Sequence, residues 1–254
     1  MSGQGLANVD PADALVSELS DDPLSADEQA ALDEYEAALD HAITNGTGTE
    51  ISNGSPFHAR LILTRLFRLA DKTVEIYSGH LRQKGPDGNG RIGLIWTYAP
   101  LVIAARDFLR KPGTKLSILV QNRLDSRADL HGRDHPFIRT LFEDSQRQGK
   151  LELIIARAHE TRSIPGGLKH FAVADDRIYR LETRNHGVWA TASFKGPLMV
   201  RLLKGYFYQL IRGLDLKESI CSLSACRFTP EEFASEGRAF ALPEQFVGAP
   251  INPA

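Results

Sequence analysis

The sequence predicts an α/β fold in which a mixed, largely parallel sheet is sandwiched between helices and preceded by an acidic helical N-terminal segment. Three observations lead there. Short apolar, β-rich runs at 74–78, 116–121 and 151–156 alternate with helical patterns near 98–110 and 136–148, and parallel neighbours need helical crossovers of that kind. The runs 171–174 and 178–181 are separated only by Asp175-Asp176-Arg177, which has the length and chemistry of a tight hairpin. A chain of 254 residues, 42% apolar and 24% charged, is also long enough to bury the core of one large or two small domains.

Residues 1–50 form an acidic leader with twelve acidic residues and no lysine or arginine, so the remaining 204 residues carry thirty basic against twenty acidic. Within the leader, Ser25 and Glu28 read as a capping box that opens a helix running to about Ile43. Leu32, Tyr35, Leu39 and Ile43 recur at helical spacing, whereas Asp33, Glu34, Glu36 and Asp40 lie mostly off that stripe. Residues 25–43 therefore suit docking on a protein partner. The segments 45–48 and 53–55, rich in Asn and Gly, read as a flexible joint.

The main domain is expected over 55–214. Ser55-Pro56 caps a helix that buries Ala59, Ile62, Leu63, Leu66 and Ala70 and turns Arg60, Arg65 and Arg68 outward. Residues 189–194 read as a further strand. The helix at 197–211 places Val200, Leu203, Phe207 and Ile211 inside and aligns Lys204, Tyr208 and Arg212 on another side. Residues 215–254 make a C-terminal extension in which Thr229-Pro230-Glu231-Glu232 caps a short helix.

Several chemistries drop out. Gly88-x-Gly90-x-x-Gly93 spells a dinucleotide fingerprint but lies in a loop well past the strand ending near Ser78, without the immediate strand, turn and helix that bring helix amides to a pyrophosphate. The Walker lysine loop, the His-Glu-x-x-His pair, the nucleophile elbow and the Cys-x-x-Cys pair are all missing, so no cofactor or metal is expected. Cys221 and Cys226 are the two cysteines, read as reduced structural thiols, and a cytoplasmic, membrane-free protein is expected. What remains for acid–base or nucleophilic work is the histidines, among them His80, His131, His135, His159, His170 and His186.

The stretch GLKHFAVADDRIYRLE at 167–182, followed by ATASFKGPLMVRLLKGYFYQLI at 190–211, resembles the latter half of a phospholipase D-like domain. The resemblance implies a mixed sheet between helices and a histidine–lysine–aspartate signature whose histidine attacks phosphorus while the lysine steadies the phosphate oxygens. His170 and Asp175 carry the lysine-to-aspartate spacing, so His170 falls in the lysine slot and Leu168 in the slot of the nucleophile. The Gly-Ser pair is replaced by Ala192-Ser193-Phe194. On this reading His170, Lys169, Asp175 and Ser193 are the site candidates, with Arg177 and Arg180 close in sequence as anion partners. His80 is a further candidate because it follows the first strand of the sheet, and the carboxyl ends of parallel strands are where ligands gather. The resemblance implies that it supplies what Leu168 lacks, within one chain or across a homodimer.

Lys204, Tyr208 and Arg212, at four-residue spacing, suit a phosphate backbone with one aromatic contact, and the basic body favours phosphate-bearing partners. Arg123, Arg127, Arg133 and His135 carry less, since Asp125, Asp129 and Asp134 interleave with them. The sequence therefore reads as a catalytically degenerate phospholipase D-like subunit that binds nucleic acid or a phosphorylated ligand, and the resemblance implies a role in prokaryotic defence or DNA processing. Two readings stay open beside it: a metal-independent phosphodiesterase or nuclease, and a protein-interaction subunit docking through its leader.

Overall fold

Ser25 opens α1 (Ala26–Asn45) as its spacing dictates. Its hydroxyl accepts the Glu28 amide at 3.3 Å, and the Glu28 carboxylate accepts the Ser25 amide at 3.0 Å. Gly46, at φ 55°, closes the helix by turning its N–H back to the carbonyls of Ala42 and Ile43. The computed structural model describes residues 24–46, 48–78, 95–96, 98–122, 137, 141, 151–157, 170–183 and 189–212.

The apolar stripe of α1 lies on its own chain. Leu39 is fully buried against Leu61, Ile62 and Ala192, with Leu32, Tyr35, Ile43 and Ile51 around them. Arg65, expected to face outward, reaches α1 instead, pairing with both Asp40 oxygens at 2.7 and 2.9 Å and with Glu36 at 2.5 Å. Between the two segments read as a flexible joint lies an unexpected strand: β1 (Ile51–Asn53) pairs antiparallel with β7 (Ala190–Ser193). A tripeptide at a sheet edge owes its conformation to its partner strand, which local composition does not reveal.

α2 (Pro56–Leu69) starts at the predicted cap, where the Ser55 hydroxyl accepts the His58 amide at 3.1 Å. Arg60 was expected in solvent and is buried. Its guanidinium lies over the rings of Phe57 and Tyr98 at 5.0 and 5.1 Å, which replaces hydration by cation–π contact.

β2 (Thr73–Ser78), β3 (Lys115–Asn122) and β4 (Leu151–Arg157) are parallel, with Thr73 opposite Lys115 and Leu116 opposite Leu151. α3 (Ala99–Arg110) supplies the crossover between β2 and β3. β5 (Phe171–Ala174) and β6 (Ile178–Glu182) form the predicted hairpin, and the sheet order is β1-β7-β6-β5-β2-β3-β4. The fold class and the mixed sheet agree with the sequence, but its parallel share is smaller than expected. Parallel pairing joins β2, β3 and β4, and the remaining four pairings are antiparallel.

Alternation divides the core between two faces. On one, Val74, Ile76, Leu116, Ile118, Ala172, Ala174 and Ile178 meet α2 and α3, with Phe137 and Leu141. On the other, Tyr77, Leu119, Phe171, Val173 and Tyr179 meet α4 (Pro197–Arg212) through Val200, Leu203, Phe207, Leu210 and Ile211. No helix among the described residues is long and apolar enough to cross a membrane.

The two halves of the sheet join where β2 pairs antiparallel with β5. Asp175, the first turn residue, has φ 50°, and its carboxylate accepts the backbone amides of Asp71, Lys72 and Thr73 at 2.8–2.9 Å. Burial works against its ionisation, but the three amides outweigh burial and hold its carboxyl below the ordinary aspartate range. Asp175→Asn keeps a side chain that tolerates the left-handed conformation. It should cost about 1–2 kcal/mol at neutral pH by urea unfolding, the partly open site screening part of the effect. Because the folded pKa is the lower one, the wild-type advantage exists above the ordinary carboxyl value and disappears as pH falls below about 4, where the two curves should converge. Leu39→Ala should cost about 2–4 kcal/mol in the same measurement if α1 is an integral part of the core.

Candidate functional site

One end of the sheet gathers most of the chemistry. Asn53 closes β1, Ser78 closes β2 and Glu182 closes β6, while His170 and Trp189 stand immediately before β5 and β7. The hairpin register sets Phe171 opposite Leu181, and the next step brings the Glu182 amide to the His170 carbonyl at 2.9 Å. That pairing also sets the side chains together. His170 Nδ1 lies 2.8 Å from Glu182 Oε2, and Arg180 Nη1 lies 3.4 Å from Glu182 Oε1.

This Arg180–Glu182–His170 chain is graded in exposure. The Arg180 side chain is 7% exposed, Glu182 19% and His170 34%. Burial works to raise the Glu182 carboxyl. The hydrogen bond and charge of His170, together with Arg180, outweigh that and hold it below the ordinary glutamate value. Arg180 itself is lowered by burial, against the pull of Glu182. An imidazole that donates Nδ1–H to a fixed carboxylate presents Nε2 outward, as a lone pair when neutral and as an N–H donor when protonated. The Tyr77 ring packs 5.9 Å from the imidazole and limits its rotation.

Two further donors stand at this end. Asn53 Nδ2 and Arg180 Nε are buried and find no hydrogen-bond partner among the described residues. Beneath them, Tyr35 stacks on His58 at 3.6 Å and donates to the Ser52 carbonyl at 2.9 Å. Burial is the main force raising the Tyr35 phenol to about 12, and it lowers the His58 imidazole, so both are neutral at pH 7.

The other expected site residues stand elsewhere. Asp175 occupies the opposite end of β5, its carboxylate engaged by three amides, and cannot orient His170. Ser193 pairs with Tyr179 across β6, three residues or about 10 Å along the strand from the His170 level. Its hydroxyl donates to the Gly48 carbonyl and accepts the Lys195 amide, both at 3.3 Å. Arg177 donates to the Leu69 carbonyl at 2.9 Å, also at the far end. His80, Lys169, Leu168, the Arg212 side chain, the glycine-rich 85–93 segment, residues 123–135, both cysteines and 215–254 lie outside the described residues.

Lys204 and Tyr208 do not form an outward phosphate stripe. Lys204 Nζ reaches Thr73 Oγ1 and Asp176 Oδ1 at 3.2 Å and Glu75 Oε2 at 3.9 Å, and the Tyr208 hydroxyl donates to Glu75 Oε1 at 3.3 Å. Glu75 lies on β2 beneath α4, with 3% of its side chain exposed. Burial pushes its carboxyl up to about 7 against the pull of Lys204, Thr73, Tyr208 and Lys115. An acid buried on a strand recruits the nearest donors of the covering helix, which accounts for the inward turn of both side chains.

Glu182 and Glu75 were not singled out from sequence, although signals existed. Counting outward from the Asp175-Asp176-Arg177 turn places 182 opposite 170, and a strand covered on both faces must bury whatever stands at 75. Among the described residues no cluster of three or more His, Cys, Asp or Glu side chains is placed to hold a metal ion.

No known family profile and no curated protein matches the chain. Among solved structures, the chain is similar to TrmBL2, an archaeal chromatin protein described as showing a novel mode of DNA binding. The TM-score is 0.44 at 14% identity, over 74% of this chain and 62% of that one. It is also similar to NucT from Helicobacter pylori, with a TM-score of 0.39 at 12% identity, over 65% of this chain and 97% of that one. The chain thus spans less than two thirds of TrmBL2.

Glu75 gives the structure a measurable pH signature. Its folded pKa, about 7, exceeds the unfolded value of 4.5, so the folded state holds the proton more tightly. The Glu75 contribution to stability should therefore be fully present below the unfolded value and be lost as pH rises through about 7. Glu75→Gln, which mimics the protonated acid, should come close to wild type near pH 4 and exceed it by about 1–3 kcal/mol near pH 8 in urea unfolding. A variant less stable than wild type at both values would refute the buried-acid account.

Proposed function

We propose that this chain is a phospholipase D-like binding protein that engages a phosphodiester, nucleic acid in the first place, at the end of the sheet where His170 stands. The observation that carries this is the Arg180–Glu182–His170 chain, which holds a partly exposed imidazole at a strand end. The net positive body of the chain supports the same class of ligand, because neutralised phosphates release counterions.

The His170–Glu182 pair specifically favours a second reading, a metal-independent phosphodiesterase. A carboxylate on Nδ1 fixes the tautomer that leaves the lone pair on Nε2 and stabilises the charge the ring acquires on attack. In such a reaction the Nε2 lone pair forms a bond to phosphorus while the P–O bond to the leaving group breaks. The leaving oxygen takes a proton from a solvent water, and a second water then attacks phosphorus, breaking the P–N bond to free the imidazole and giving its proton back to solvent.

One set of measurements tests both. Affinity for a labelled oligonucleotide should fall steeply as salt rises, and His170→Ala should weaken it by about three- to thirtyfold, as loss of one charge-assisted contact does. Binding that ignores both salt and the substitution overturns the proposal. Cleavage of the oligonucleotide in EDTA, abolished by His170→Ala, would establish the second reading, and intact substrate would exclude it.

A further inference from the structure

We infer that the acidic leader helix α1 is a working part of the His170 site, with Tyr35 as a positioning residue that keeps water from Arg180 and so preserves the arginine's hold on Glu182 and, through it, on the imidazole. This rests on the phosphodiester reading above and adds how that site is kept in order.

Arg180 needs a cover that the sheet does not supply. On β6 it stands opposite Ala172 of β5 on one side and Ala192 of β7 on the other, and both are too short to cover a guanidinium. Glu182, two residues on and therefore on the same face, has another alanine, Ala190, beside it. Even so, the Arg180 side chain is buried. Among the described residues its guanidinium makes one hydrogen bond, a long one of 3.4 Å from Nη1 to Glu182, and its Nε has no partner. Enclosure, more than hydrogen bonding, holds this side chain.

The enclosure comes from the helices on this face. Leu61 and Ile62 of α2 and Leu39 of α1 are buried with Ala192, and Tyr35 packs on the same cluster. Tyr35 is near enough to Arg180 for the charge of the arginine to act on its phenol. The ring is fixed twice, by stacking on His58 at 3.6 Å with 2° between the planes and by donating its hydroxyl to the Ser52 carbonyl at 2.9 Å. Arg65 anchors the same helix from α2 through Asp40 and Glu36.

Two opposite charges attract several times more strongly where water is shut out. Under the cover, Glu182 is held at both oxygens, Oε1 by Arg180 and Oε2 by His170. Once the cover is lost, water solvates the guanidinium and the long contact to Oε1 weakens. The carboxylate then turns more freely, and the imidazole with it. A leader that merely competed with phosphates would act in the opposite sense, since loosening it would strengthen the binding of a polyanion.

The full chain is titrated by fluorescence anisotropy with a short labelled DNA oligonucleotide at low salt. Tyr35→Ala should weaken binding by about threefold to tenfold, while Tyr35→Phe, which keeps the ring, should retain nearly all of the wild-type affinity. Combined with His170→Ala, Tyr35→Ala should cost nothing further, because its effect runs through the imidazole. Tyr35→Leu, which keeps apolar packing and loses the ring, should weaken binding in the same sense and takes the place of Tyr35→Ala if that chain fails to fold. Tighter or unchanged binding by these variants, or an equal loss with and without His170, overturns the inference while the His170 reading stands. Wild-type binding that ignores both salt and His170→Ala overturns the two together.

Discussion

The seam between β2 and β5 governs the molecule. It joins a parallel half built from β2, β3 and β4 to an antiparallel half built from β5, β6, β7 and β1, and the register of every strand beyond it follows from how these two meet. Asp175 fixes that meeting by gathering the amides that lead into β2 onto a single carboxylate in the hairpin turn. A slip of one residue would exchange the two faces of the hairpin, exposing Ala172 and Ala174 and burying the wrong partners. With the register held, Tyr77 falls beside Phe171, and His170 falls level with Glu182. Asp175, a site candidate by its spacing to His170, instead stands at the opposite end of β5, where it holds the strands in register.

Two buried acids show how differently one sheet treats a carboxylate. Glu182 is matched by a buried arginine and an imidazole, and those partners more than offset its desolvation. Glu75 has a lysine at 3.9 Å and a phenol at 3.3 Å, and desolvation wins. The difference is one of distance and charge-assisted hydrogen bonding. Its consequence is a division of labour: the Glu182 end keeps a fixed negative charge behind an accessible histidine, whereas the Glu75 end ties α4 to the sheet.

The acidic leader is more involved in the fold than its composition suggests. Its helix buries Leu39 in a cluster with α2 and β7, and Arg65 clasps two of its acids. Charge segregation along the chain therefore becomes charge pairing in space at this contact. The expected docking face of residues 25–43 has found its partner within the same chain.

The sequence by itself determined the helices at Ser25 and Ser55, the β–α alternation through β2, α3 and β3, the hairpin at Asp175-Asp176-Arg177 and the amphipathic α4. Each is specified by local periodicity, capping or turn chemistry, which act over a few residues. His170 drew attention through its spacing to Asp175, but the structure sets that aspartate at the opposite end of β5. What only the tertiary structure decided is which polar groups meet. Arg60 lies under two rings, Lys204 and Tyr208 turn to Glu75, and β1 forms because β7 is beside it. Glu182 joins His170 because antiparallel pairing makes neighbours of residues twelve apart. Such contacts depend on register and on the desolvation each group suffers when its surroundings close. Both are properties of the assembled sheet, and neither belongs to any stretch of chain taken alone.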